Sequence, residues 1–195
     1  MPFEQFKTHL QQVAYLTPED CALFEPYLRS RALSKHDFLL RQGKVCRDIG
    51  FVEKGAFRVY YLQDGKEINT RFVFENDYVV DYGSFLHQTP SQYFIQSLEE
   101  SKLVLFDQSA LVDGYERSKN WERFGRQIAE KSFLLTTERV ESFLFLDGEE
   151  RYLQALRSYP TLFERVPLYH IASYLGMERE SLSRLRRKIA ERDRL

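Results

Sequence analysis

Along the chain the apolar residues change their period twice. Up to about residue 40 the spacing reads as helix. Thr17-Pro18-Glu19-Asp20 carries a start signal: a hydroxyl cap, proline in the first turn and acids at the positive helix end. Leu23, Phe24, Tyr27 and Leu28 follow at helical spacing. Between 38 and 106 the runs are short, apolar or alternating, and punctuated by turn residues. They comprise Phe38-Leu39-Leu40, Gly50-Phe51-Val52, Phe57 to Leu62, Ile68 to Phe74, Tyr93 to Leu98 and Lys102 to Phe106. Asp64-Gly65 after Leu62 is a short-hairpin signal. Such runs predict an antiparallel sandwich or jelly roll. Beyond Leu111 the helical period returns. Trp121, Phe124, Ile128 and Leu135 form one stripe, and Phe133, Val140, Phe143 and Leu144 another, on a proline-free helix of about thirty residues that ends near Asp147-Gly148. Two apolar faces need two partners. One is the sheet domain. The stripe Trp121, Phe124, Ile128 and Leu135 has no obvious partner within the chain and is expected to join a homodimer through the same helix of a second subunit, the alternative being a helix buried between two domains of one chain.

The last segment repeats the helical pattern in a shorter form. Pro167 opens a helix whose Leu168, Ile171, Ala172 and Leu175 share one face. Gly176 permits a sharp turn. A second helix begins near Arg179, with Leu182, Leu185 and Ile189 inward, and the small Ala172 lets the pair cross closely. This is the helix-turn-helix plan. The outward face carries Arg179, Glu180, Ser183, Arg184 and Arg187, side chains able to reach base edges in a major groove, and Ser181 and Lys188 suit phosphate.

Composition sharpens this picture. The chain has 195 residues, 43% of them apolar and 29% charged, enough for a real core. Its net charge is −1, but Arg179 to Leu195 holds seven cations and three acids, leaving −5 on the rest. A basic tip on an acidic body fits local phosphate binding, although a solvated terminal helix gives the same count. No apolar run approaches a membrane span, and the N-terminus lacks a basic segment followed by an apolar stretch, so a cytoplasmic location and no membrane partner are expected. Cys21 and Cys46 are two isolated cysteines, and His9, His36, His87 and His170 form no spaced pair, so no metal and no cofactor are expected. Cupin chemistry needs clustered histidines, and no GxSxG, P-loop or paired-cysteine motif is present, which argues against an enzyme.

The pattern Ile171-Ala172-x-x-Leu175-Gly176-x-x-Arg179-Glu180-x-x-x-Arg184 resembles the helix-turn-helix signature of the Crp/Fnr family of bacterial transcription regulators. Gln42-Gly43, Gly55-Ala56-Phe57-Arg58-Val59 and Glu75-Asn76-Asp77-Tyr78 resemble that family's cyclic-nucleotide-binding jelly roll, and the helix ending at Phe145-Leu146-Asp147 resembles its dimerisation helix. The resemblance implies an α+β protein: an effector or sensor domain over 1–117, a dimerisation helix over 118–147, and an all-α DNA-binding domain over 148–195. In one departure from the family, its final β wing is expected to be absent, since the chain stops soon after the second helix. It implies a homodimer on a near-palindromic double-stranded DNA operator, and RNA polymerase as a partner if the protein is an activator. By it, Arg179, Glu180 and Arg184 contact bases.

Two residue pairs depart from the family's cyclic-AMP binders. Their ribose-holding Gly-Glu pair falls here on Val80-Asp81, beside Tyr82, and their phosphate-holding Arg-Ser pair falls on Ser91-Gln92. No lysine or arginine lies between Arg71 and Lys102, so a buried phosphate would lack its charge partner and cyclic AMP is not the expected effector. Thr136 and Thr137 fall where those binders place hydroxyls against adenine, or they are interhelical or surface hydroxyls. Tyr78, Tyr82, Phe85, Tyr93 and Phe94 either line a pocket for a neutral effector or fill it. A sensor whose helix-turn-helix has become an interaction module is the alternative function.

Overall fold

The computed structural model describes residues 3–192. Two helices come first, α1 (Glu4–Val13) and α2 (Pro18–Phe24). The strands are β1 (Arg29–Leu33), β2 (Phe38–Leu40), β3 (Asp48–Lys54), β4 (Phe57–Gln63), β5 (Lys66–Val73), β6 (Tyr78–Val79), β7 (Phe94–Ser97) and β8 (Ser101–Asp107), with α3 (Tyr82–His87) between β6 and β7. Then follow α4 (Gln108–Arg117), α5 (Lys119–Phe145), α6 (Gly148–Ser158), α7 (Leu162–Arg165), α8 (Leu168–Leu175) and α9 (Arg179–Arg192). The strands form two four-stranded sheets, β1-β8-β3-β6 and β2-β7-β4-β5. Asp64 and Gly65 both have positive φ, the backbone of a tight hairpin turn. Asp193, Arg194 and Leu195, part of the basic segment counted above, lie outside the described residues. Among the described residues no helix is long and apolar enough to cross a membrane.

The chain divides into two compact units: Met1–Val59 with Phe72–Leu135, and Tyr60–Arg71 with Thr136–Leu195. In the first, β3 and β8 pair antiparallel and are buried on both faces over most of their length, which explains the unbroken apolar run Leu103 to Phe106. Gly50 faces Leu103, Leu105 and Val79 on one side. On the other, Phe51 and Phe106 meet Phe6 of α1 at ring distances of 4.9 and 5.8 Å. The Thr17 cap forms as its residues predict, with Asp20 completing a capping box.

Two expectations are corrected here. Helix does not run to residue 40: Arg29 to Leu33 is the edge strand β1, paired to β8 in register from Arg29 against Leu105 to Leu33 against Ser101. Its burial does not alternate, so its own pattern carries no period-2 signal. The stripe Trp121, Phe124, Ile128 and Leu135 is not a free dimer seam. Trp121, Phe124 and Ile128 are buried in the core of the first unit, and Leu135 is half-buried. Trp121 stacks on Phe24 at 3.7 Å and its indole N–H donates to the Asp20 carbonyl. Phe124 packs edge-on to Tyr78. Helix α2 and the strand residues Tyr78 and Phe106 supply the partner that the stripe lacked when α5 was considered alone.

Candidate nucleic-acid interface

The second unit builds its surface from α8 and α9. Pro167 sits at the N-cap of α8, which buries His170, Ile171, Ala172 and Leu175. Gly176 ends it in the left-handed conformation, φ 67°, a backbone that L side chains rarely adopt. A Cβ there would lie 2.5 Å from the Phe143 ring. Two arginines pin this turn. Arg151 donates to the carbonyls of Leu175 and Leu146, satisfying exposed helix ends. Arg139 lies 4.3 Å over Phe143 and 4.2 Å over Tyr174, and burial holds its guanidinium below the usual arginine range.

A second set of contacts holds α8 from the hairpin tip. Ser173 Oγ donates to the Glu67 carbonyl and accepts from the Asn69 N–H. The fully buried Asn69 amide lies against buried His170, Nδ2 to Nδ1 3.4 Å, and the Asn69 carbonyl accepts from Arg139. Sequence reasoning missed Asn69, Glu67, Ser173, Arg139 and Arg151 as supports. Their partners are remote, and polar residues in a strand or helix carry no period of their own.

On α9, Leu182 and Ile189 are buried, while Arg179, Glu180, Ser183, Arg184, Arg187 and Lys188 are exposed and Ser181 is half-buried. Arg184 Nη2 donates to Ser181 Oγ, one turn back. Arg186 lies 4.7 Å over the Phe163 ring. Lys188 and Arg192 are engaged by one carboxylate: Glu149 Oε2 takes Lys188 Nζ at 3.2 Å and Oε1 takes an Arg192 nitrogen at 2.8 Å. The paired cations hold the Glu149 carboxyl below its ordinary pKa. The face is therefore a row of exposed cations flanked by two more that share a single carboxylate.

Of the effector-pocket residues, the first unit brings Asp81 and Ser91 together. Ser91 Oγ donates to Asp81 Oδ2 at 2.6 Å, and Asp81 caps α3 through the Ser84 N–H. Ser91 and Val80 are buried, and Gln92 reaches Gln42. Tyr82 stacks on Phe85. Tyr78 and Phe85 are core side chains, so those two rings fill space rather than line an open pocket. Burial pushes the Tyr78 and Tyr82 hydroxyls up. Thr136 and Thr137 lie on α5 in the second unit, Thr136 exposed and Thr137 half-buried.

Residues 30–118 match the cyclic nucleotide-binding domain family. No curated protein matches the chain by sequence. Solved structures share the fold over most of its length. The c-di-GMP responsive global regulator CLP of Xanthomonas campestris is 18% identical over 91% of this chain and 93% of its own, with a TM-score of 0.70. FixK2 of Bradyrhizobium japonicum is 14% identical over 85% of this chain and 86% of its own, TM-score 0.72. A transcriptional regulator of the Crp/Fnr family from Eubacterium rectale is 16% identical over 95% of this chain and 88% of its own, TM-score 0.71. The resemblance to Crp/Fnr regulators drawn from the sequence holds on both counts: a cyclic nucleotide-binding domain match, and a fold shared with regulators of that kind.

Proposed function

We propose that this protein is a sequence-specific DNA-binding transcription regulator of the Crp/Fnr type, acting as a homodimer and not driven by cyclic AMP. The observation that carries the reading is the exposed face of α9. Arg179, Glu180, Ser183, Arg184 and Arg187 point away from Leu182 and Ile189, at the spacing that lets a helix meet successive base edges. Residues 1–117 serve as the sensor domain, 118–147 as the dimerisation helix and 148–195 as the DNA-binding domain. Trp121, Phe124 and Ile128 being occupied, the dimer seam is the second stripe, with Phe133, Val140 and Leu144 outward on α5. No catalytic role is part of this reading.

The test is selection of bound duplexes from a random DNA pool by the full-length protein. A near-palindrome with half-sites about 34 Å apart is the expected product, as two-fold symmetry demands. A pool that stays unenriched after repeated rounds at low salt refutes the reading.

A further inference from the structure

We propose that Glu149 is an internal competitor for DNA phosphate that sets how tightly, and with what salt dependence, this protein holds any duplex. The inference rests on the DNA-binding reading above and names a residue outside the base-reading face. Three acids open α6: Asp147, Glu149 and Glu150. Asp147 and Glu150 are consumed by a reciprocal capping box, Asp147 accepting from the Glu150 N–H and Glu150 from the Asp147 N–H. Glu149, between them, is left to face α9. There Lys188 and Arg192, one turn apart, fall on the flank between the buried stripe of Leu182 and Ile189 and the outward face of Arg184 and Arg187. That flank is where a helix seated in a major groove passes the sugar-phosphate strand. Each Glu149 oxygen takes one of these cations, at 3.2 and 2.8 Å, as a phosphate would. Lys188 remains 72% and Arg192 56% exposed, so both can exchange the carboxylate for DNA. Two effects then act in one direction. The cations must leave a partner before they reach phosphate, and the carboxylate left behind repels the strand.

Glu149→Gln therefore strengthens binding by the same factor on every sequence. The experiment compares wild type, Glu149→Gln, Lys188→Ala and the double variant by fluorescence anisotropy across salt. The probes are the selected operator and an unrelated duplex, each about 30 base pairs long. Glu149→Gln is expected to tighten both duplexes on the order of tenfold near 0.1 M salt and to steepen log K against log salt by about 0.9 for each cation that Glu149 keeps from phosphate in the wild-type complex. Lys188→Ala is expected to cost more in the Glu149→Gln background than in wild type. Glu149→Ala, which removes both oxygens, must move affinity the same way. Unchanged or weaker binding by both Glu149 variants overturns the inference, because it makes Glu149 a clamp that positions α9. Tightening confined to the operator, or an equal Lys188→Ala loss in both backgrounds, also overturns it. If no variant binds either duplex at low salt, the DNA-binding reading fails first and the inference with it.

Discussion

Arg184 and Lys188 differ by one turn of α9 and by their company. Arg184 leans on Ser181 with its guanidinium exposed, whereas Lys188 is held by Glu149. A guanidinium on the outward face suits bidentate donation to guanine. Arg184→Ala is expected to cost about 1–3 kcal/mol per half-site and to relax preference at one base pair while sparing the others. Binding to single-base operator variants checks this, and a uniform loss over the whole panel rejects base reading by Arg184. In the first unit, Ser91 stands with Asp81 at the position matched to the phosphate-holding pair of cyclic-AMP binders, and the two side chains satisfy each other. Losing a charge-assisted contact from a buried site costs on the order of 2–4 kcal/mol, roughly 30- to 1000-fold in affinity. Calorimetry with cyclic AMP is expected to give no tight binding, and a low-micromolar dissociation constant would refute the assignment. Residue types were legible at these positions, but the Asp81–Ser91 bond was not, since nine residues of intervening chain fold back to make it.

At the scale of elements, caps and turns were the best-written features. Asp20 shows why one residue can hold two elements. Its carboxylate closes the α2 capping box and accepts from Ser118 and from the Asn120 amide at the start of α5. Burial raises its pKa, but the hydrogen bonds from Ser118, Asn120 and Thr17 outweigh it and hold Asp20 below its ordinary 3.8. A carboxyl depressed in the folded state adds stability above its unfolded pKa and loses it as pH falls through the folded value. Asp20→Ala is expected to cost about 2–4 kcal/mol at neutral pH. Toward pH 3 the penalty narrows, because wild type then loses the same bonds. Thermal unfolding across pH checks both, and a pH-independent penalty contradicts the ionised role. Gly176 is the comparable point between α8 and α9. Gly176→Ala adds a strained left-handed residue and a clash with Phe143, and about 1–3 kcal/mol of destabilisation is expected by denaturant unfolding. A change within a few tenths of a kcal/mol would show that the turn does not constrain the pair.

For the whole molecule, the decisive fact is which stripe of α5 is already spent. Phe133 and Leu144 are each 69% exposed and Val140 is 54% exposed, whereas Trp121 is 0%. Phe133, Val140 and Leu144 recur at i, i+7 and i+11, the spacing of a helix-pairing seam. Val140→Glu is therefore expected to shift the protein toward monomer in sedimentation and to weaken operator binding by removing the second half-site. Ile128→Ala should instead lower the unfolding temperature, at about 2–4 kcal/mol, without changing the association state. A wild-type protein that sediments as a monomer at micromolar concentration, or a Val140→Glu protein that stays dimeric, removes the proposed seam.

What the sequence by itself determined is what neighbouring residues can enforce. The Thr17 cap, the Asp64-Gly65 turn, the long helix near Lys119 to Phe145, and the two helices around Gly176 are each specified within a few residues. Their signals are dihedral preference, capping and period, and these act locally. Tertiary structure decided the rest, because the other half of each contact lies far along the chain. Helix α2 claimed Trp121 across 101 residues. Pairing with β8 turned Arg29 to Leu33 into a strand. Glu149 met Lys188 across 39 residues, and Asn69 met Ser173 across 104. A charge or an apolar face announces that it needs a partner, but chain folding chooses which partner arrives, since loop closure makes many distant pairings nearly equal in cost.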